Sequence, residues 1–185
     1  ETRPRILEFE QGILLILRGI NLNKNAEPED MVSLRIWIDQ SRIITLQRRP
    51  LKAITDICEC LKSGRGPKTS GEFITTLSAR LFERMEPIFS DLDDRLDVTE
   101  EQVMEDPDAE NRAEITSIRK ETIMYRRYIA PQRDVIAHLR TSEQAWLSQM
   151  DKRHLQESLD HVIRYIEDLD TMRERAQIIK DELTN

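Results

Sequence analysis

"SDLDDRLDVTEEQVMEDPDAE", residues 90–110, carries ten acidic side chains and a single base, Arg95. Its apolar residues decide the fold. Met85, Phe89, Leu92, Leu96, Thr99 and Val103 recur at alternating intervals of four and three, the spacing of one buried stripe on a helix. Asp94, Asp97, Glu101 and Glu105 also step by three or four. At about 100° per residue they fall on the side opposite that stripe, and Asp91 extends the set. The stretch therefore reads as a helix with its acids outside. Like charges at these spacings cost about 0.2–0.5 kcal/mol per contact in an isolated helix, and nearby cations would relieve the repulsion. Two readings follow: a solvated acidic face, or a face that gathers cations by its field.

The same texture continues toward the C-terminus. Ile115, Ile118, Thr122, Tyr125, Ile129 and Ile136 form a second seam. Leu155, Leu159, Val162, Ile166, Leu169, Met172, Ala176, Ile179 and Leu183 form a third. Sustained three-four spacing predicts long helices packed along narrow stripes. "EDPDAE" is the expected turn between the first two, and Asp151 the expected N-cap of the third. Toward the N-terminus the texture changes near residue 50. "GILLILRGI", 12–20, is a short continuous apolar run, as in a strand buried on both faces. "MVSLRIWI", 31–38, alternates with period two, "DQS" reads as a turn, and "RIITLQ" returns as a hairpin strand. "LKAITDICECLKSG" is helical, with Gly64 as its stop. "GRGPKTSG" is a loop without the Gly-Lys-Ser/Thr ending of a phosphate loop.

Composition narrows the function. The 185 residues are 38% hydrophobic, 34% charged and only 5% aromatic, with net charge −7. Long solvated helices suit this balance. The acidity argues against nucleic acid as a partner, since phosphate needs a basic surface. Cys58 and Cys60 diverge on a helix or strand and read as two reduced thiols rather than a disulfide. No signal peptide is visible, and no apolar run approaches the ~20 residues a membrane span needs. No nucleophile–base–acid grouping or zincin motif points to catalysis, so no enzymatic activity and no required cofactor are expected. His154, Glu157 and His161 share one helix face with Asp160 beside them, a residue mix that suits zinc; the plain alternative is a polar face with two ordinary histidines. His138 has no assigned role.

Several segments, in order, resemble one family. "LFERMEPIFSDLDDRLDVTEEQVMEDP" resembles the paired acidic helices of the CorA-type divalent cation transporters, with Pro87 at the kink and Asp106-Pro107-Asp108 at the turn. "YIAPQRDVIAHL", 128–139, is similar to that family's proline-arginine-acid segment through Pro131, Arg133 and Asp134. "ESLDHVIRYIEDLDTMRER" resembles the start of its stalk helix. "LLILRGINLN", "GRGPKTSGEF" and "RRYIAPQR" resemble its zinc-moving ZntB branch.

The resemblance implies an α+β, α/β/α-layered cytoplasmic domain with a small mixed sheet, long antiparallel helices and a stalk helix. Residues 1–68 would be the sheet-containing part, incomplete at its N-terminus, and 69–185 the long-helix part. It also implies a funnel-shaped homopentamer in the inner or plasma membrane, with zinc or magnesium ions as transported or regulatory ligands. Asp91, Asp94, Asp97, Glu101 and Glu105 would attract cations, and an acid near Glu157 would help bind a regulatory ion between subunits. The family's own membrane helices and glycine-x-asparagine pore motif would follow the stalk, outside this chain. The competing expectation is a soluble coiled-coil interaction scaffold, distinguished by reading the frame past Asn185.

Overall fold

The computed structural model describes residues 2–106 and 108–184. Pro107, expected in the turn between the acidic helices, lies outside them. Four strands come first: β1 (Arg5–Phe9), β2 (Gly12–Gly19), β3 (Val32–Ile38) and β4 (Ile43–Gln47). They form a meander in the order β1-β2-β3-β4. Every pairing is antiparallel, so the sheet is not mixed as expected. Five helices follow: α1 (Lys52–Lys62), α2 (Ser70–Glu83), α3 (Glu86–Glu105), α4 (Ala109–Thr141) and α5 (Gln149–Glu182). The α+β class stands.

Register sorts the sheet into two unlike faces. Ile13, Leu15 and Leu17 pair with Ile38, Ile36 and Leu34, and all six are fully buried. This face receives the helices: a Cβ on Gly19 would collide with Leu51 and Leu81 at 2.5 and 2.9 Å. The opposite face keeps Leu7, Phe9, Ile44 and Leu46 exposed. The β3–β4 hairpin is closed by Asp39, whose Oδ1 accepts from the backbone N–H of Ser41 and of Arg42, each at 2.9 Å. Arg42, Ser41 and Trp37 hold the Asp39 carboxyl far below the usual carboxylate range. β1 was not anticipated, because four of its five residues are exposed and no apolar alternation marks them.

β2 outruns β1 by two strand residues before Gly19: the last pairing is Arg5 with Ile16. A helix side chain completes the edge. Gln132 of α4 accepts from the Arg18 backbone N–H at 2.7 Å and donates to the Arg18 carbonyl at 2.9 Å. Its amide stands where the next residue of a pairing strand would, and it is buried.

The helix ends follow local chemistry. Thr69 caps α2 and Asp108 caps α4. Ser148, not Asp151, caps α5; Asp151 is the returning half of a capping box. The expected Pro87 kink is a two-residue break between α2 and α3, with Pro87 in the first turn of α3, where no N–H is needed. α2 as a separate helix was not foreseen. It comes so close to the start of α5 that a Cβ on Gly71 would sit 2.0 Å from Asp151 Oδ2. All three predicted seams are buried, and one continuous core joins them to the sheet.

Gln132→Met keeps the volume but strands the Arg18 N–H and C=O. We expect a loss of about 2 kcal/mol in urea unfolding; a loss below about 0.5 kcal/mol would show that the edge bond is dispensable.

Candidate acidic helix face and its anchors

The site is built on α3, whose roll about its own axis is fixed on three sides. Phe89 lies edge-on to Tyr125 of α4 at 5.1 Å and to Tyr165 of α5 at 5.2 Å between ring centroids. All three rings are buried. Such edge-to-face pairs contribute about 0.5–1.5 kcal/mol each beyond area burial. The Tyr165 hydroxyl reaches the Phe82 carbonyl at 3.2 Å and donates to Glu86. Burial, and the bond to Glu86, push its ionisation well above the ordinary tyrosine value.

Charge fixes the two flanks. On one, Arg95 of α3 takes both Glu114 and Glu121 of α4, at 2.8 and 3.0 Å. On the other, Arg175 of α5 takes three acids of α3: Asp93 at 3.2 Å, Asp97 at 2.6 Å and Glu100 at 2.5 Å. Both guanidinium groups are held more firmly protonated by these bonds. One positive charge does not balance three carboxylates. Asp93 shows the residue of that imbalance: burial, then Asp97, raise its pKa, and Arg175 only partly offsets them.

The predicted acidic face is where the sequence placed it. Asp91, Asp94, Asp97, Glu101 and Glu105 are all exposed. Asp97 differs from the other four by being drawn to Arg175. Among the described residues no ion pair engages Asp91, Asp94, Glu101 or Glu105. Sequence reasoning missed Asp93, Glu100 and Arg175. The signal was present in the first two, since positions 93, 97 and 100 share one flank of a helix. Arg175 lies in another helix, and nothing local marks it as their partner.

His154, Glu157 and His161 line a groove of about 340 Å³ between α5 and α2, shared with Thr75, Arg80 and Glu83. Asp160 does not line it and instead accepts from Gln156 at 2.7 Å. Among the described residues no group of three or more His, Cys, Asp or Glu could hold a metal ion within one chain. His138, given no role, lies 3.5 Å from Glu8 of β1. Cys58 and Cys60 are free thiols. Among the described residues no helix is long and apolar enough to cross a membrane.

A meander sheet packs on long helices, and an acidic helix is pinned against a still longer one. The family described as "CorA-like Mg2+ transporter protein" matches residues 1–185, and the chain belongs to it. It is 39% identical over 182 residues to the divalent cation transporter CmaX of Pseudomonas aeruginosa, covering 97% of this chain and 55% of that protein. It is 36% identical over 183 residues to the zinc transport protein ZntB of Pectobacterium atrosepticum, covering 99% of this chain and 56% of that protein. The crystal structure of the ZntB cytoplasmic domain from Vibrio parahaemolyticus superposes with a TM-score of 0.88 at 26% identity, covering 100% of this chain and 73% of that one. The chain thus spans about half the length of the curated relatives it matches.

The flank imbalance gives opposite signs for two substitutions. Arg175→Gln leaves three carboxylates facing one another and should cost about 1 kcal/mol at pH 7, because the groups are partly exposed and screened. Asp93→Asn should be neutral or stabilising by a few tenths of a kcal/mol, roughly. A raised native pKa means that the folded chain favours the protonated form, so the Asp93 charge costs stability as pH rises above its ordinary value. The Asn variant's advantage should therefore vanish on acidification below pH 3.8, the model-peptide value. Thermal melts across pH check both signs.

Proposed function

We propose that this chain is the cytoplasmic domain of a homopentameric membrane transporter for divalent cations, and that the outer face of α3 concentrates the cation without chelating it. The observation that carries this reading is the match of a CorA-like family to residues 1–185, in a chain whose α3 acids point outward. Four carboxylates strung along one side of a single helix cannot wrap one ion. They can lower the potential around it, and each further copy of a chain with net charge −7 deepens that field.

Self-association has support in the apolar side chains left exposed on the long helices, including Val98, Met104, Ile163 and Ile178. A regulatory metal, zinc or magnesium, at His154, Glu157, Asp160 and His161 needs ligands from a second subunit, because one chain does not gather them. The chain's own membrane helices would continue from α5.

Asp94→Lys with Glu101→Lys reverses the face without touching the Arg175 cluster. In the full-length protein in liposomes the double variant should take up divalent cation more slowly. The deficit should shrink as salt is raised, since the screening length falls from about 30 Å at 0.01 M to about 10 Å at 0.1 M. A deficit independent of salt would mean that these carboxylates are direct ligands. Light scattering on the domain should show species larger than a dimer as concentration rises; a stable monomer or dimer throughout would count against the pentamer.

A further inference from the structure

Two columns of opposite charge run along α4 and α5. On α4, Arg112, Arg119, Arg126, Arg133 and Arg140 recur every seven residues. Seven residues are nearly two helical turns, so the five share one side of the helix. Ile123, Ala130 and Ala137 run beside them at the same period, and Ile123 is 40% exposed. On α5, Asp160, Glu167, Glu174 and Asp181 recur every seven residues and all four are exposed. Isoleucines interleave this column as well: Ile163 lies between Asp160 and Glu167, and Ile178 between Glu174 and Asp181, at 38% and 59% exposure. Within the chain the two columns do not serve each other. Arg126 reaches across to α5 at 2.6 Å, but to Asp170, which is outside the acid column. Arg133 takes its own neighbour, Asp134, at 3.2 Å. Among the described residues no ion pair engages Arg112, Arg119 or Arg140, or any of the four acids. Asp160 and Asp181 accept instead from Gln156 and Gln177 of the same helix. Arg119 Nε is buried without a hydrogen-bond partner.

We propose that the arginine column of α4 docks the acid column of α5 from a second copy of this chain, with the exposed isoleucines of α5 packed on the Ile123–Ala130–Ala137 side of α4. The inference rests on the self-association proposed above and names the surface that sets its register. Spacing selects the occupant. Both columns repeat at about 10.5 Å, so one pair in register brings the others into register. The acids of α3 do not keep that period, because after Asp94 and Glu101 the column runs out of the helix. Charge selects it as well: an arginine column in a chain of net charge −7 fits an acidic protein surface and repels the rest. Each copy then offers arginines to one neighbour and acids to the other, the heterologous contact that closes into rings.

The test is sedimentation velocity across concentration on the 185-residue chain and two charge reversals. One is Arg119→Glu with Arg133→Glu; the other is Glu167→Lys with Glu174→Lys. Each should weaken association about ten-fold or more. The lysine variant alters only exposed side chains, so it reads the interface whatever the glutamate variant does to folding. Mixing the two variants, or placing all four substitutions in one chain, should restore association, which a folding defect would not. Association of the unsubstituted chain should fall as salt rises. An unsubstituted chain that assembles, with neither reversal weakening it, would overturn this interface and leave self-association standing. A chain that is monomeric at every concentration would overturn both. Failure of the four-fold reversal to recover assembly would also overturn the proposal. So would assembly lost on Asp94→Lys with Glu101→Lys but kept on Glu167→Lys with Glu174→Lys, which would assign the arginine column to α3.

Discussion

The insertion of Phe89 between Tyr125 and Tyr165 is the contact on which the rest of the helical half depends. It is the point where α3, α4 and α5 meet through rings that each exclude water from the others. With that junction set, α3 has one permitted roll. Its Leu92–Leu96–Val103 stripe faces inward, its flank acids meet Arg175, its flank base meets Glu114 and Glu121, and the remaining acids are left outside. Electrostatics alone would not produce this order, because exposed ion pairs contribute at most about 1 kcal/mol each. Apolar burial chooses the face, and the ion pairs then hold the helix against rocking about it.

This division explains how a strongly acidic helix is tolerated. Placing Asp93, Asp97 and Glu100 around one guanidinium concentrates repulsion where a counter-charge from another helix can meet it. Asp91, Asp94, Glu101 and Glu105 are left where water screens them. The same arrangement leaves a net negative surface with no fixed ligand cage among the described residues, which is the property the proposed cation-gathering role requires.

Much of this was legible in the sequence, because periodicity reports burial directly. Every residue of the three seams is buried, the strand over 32–38 alternates as its residue types required, and the strand over 12–19 is buried along most of both sides, as its continuous apolar run required. What was illegible depended on chain partners distant in sequence. Gln132 reads as an ordinary helix residue until β2 is seen to outrun β1. Arg175 reads as one of many surface arginines until α3 is beside it. β1 escaped notice because its residues on one side face no helix. His154, Glu157 and His161 share one face of α5, yet a shared face is not a coordination sphere, and the single carboxylate α2 brings to their groove, Glu83, comes with Arg80.

The claim that the outer face of α3 acts collectively is tested most directly by titrating the isotope-labelled domain with Mn²⁺ and reading paramagnetic broadening residue by residue. The account predicts broadening spread along Asp91, Asp94, Glu101 and Glu105, without saturation at one equivalent, and fading as ionic strength rises toward about 0.15 M, where the screening length is near 8 Å. Broadening confined to one point on α3, complete at one equivalent and indifferent to salt, would contradict it.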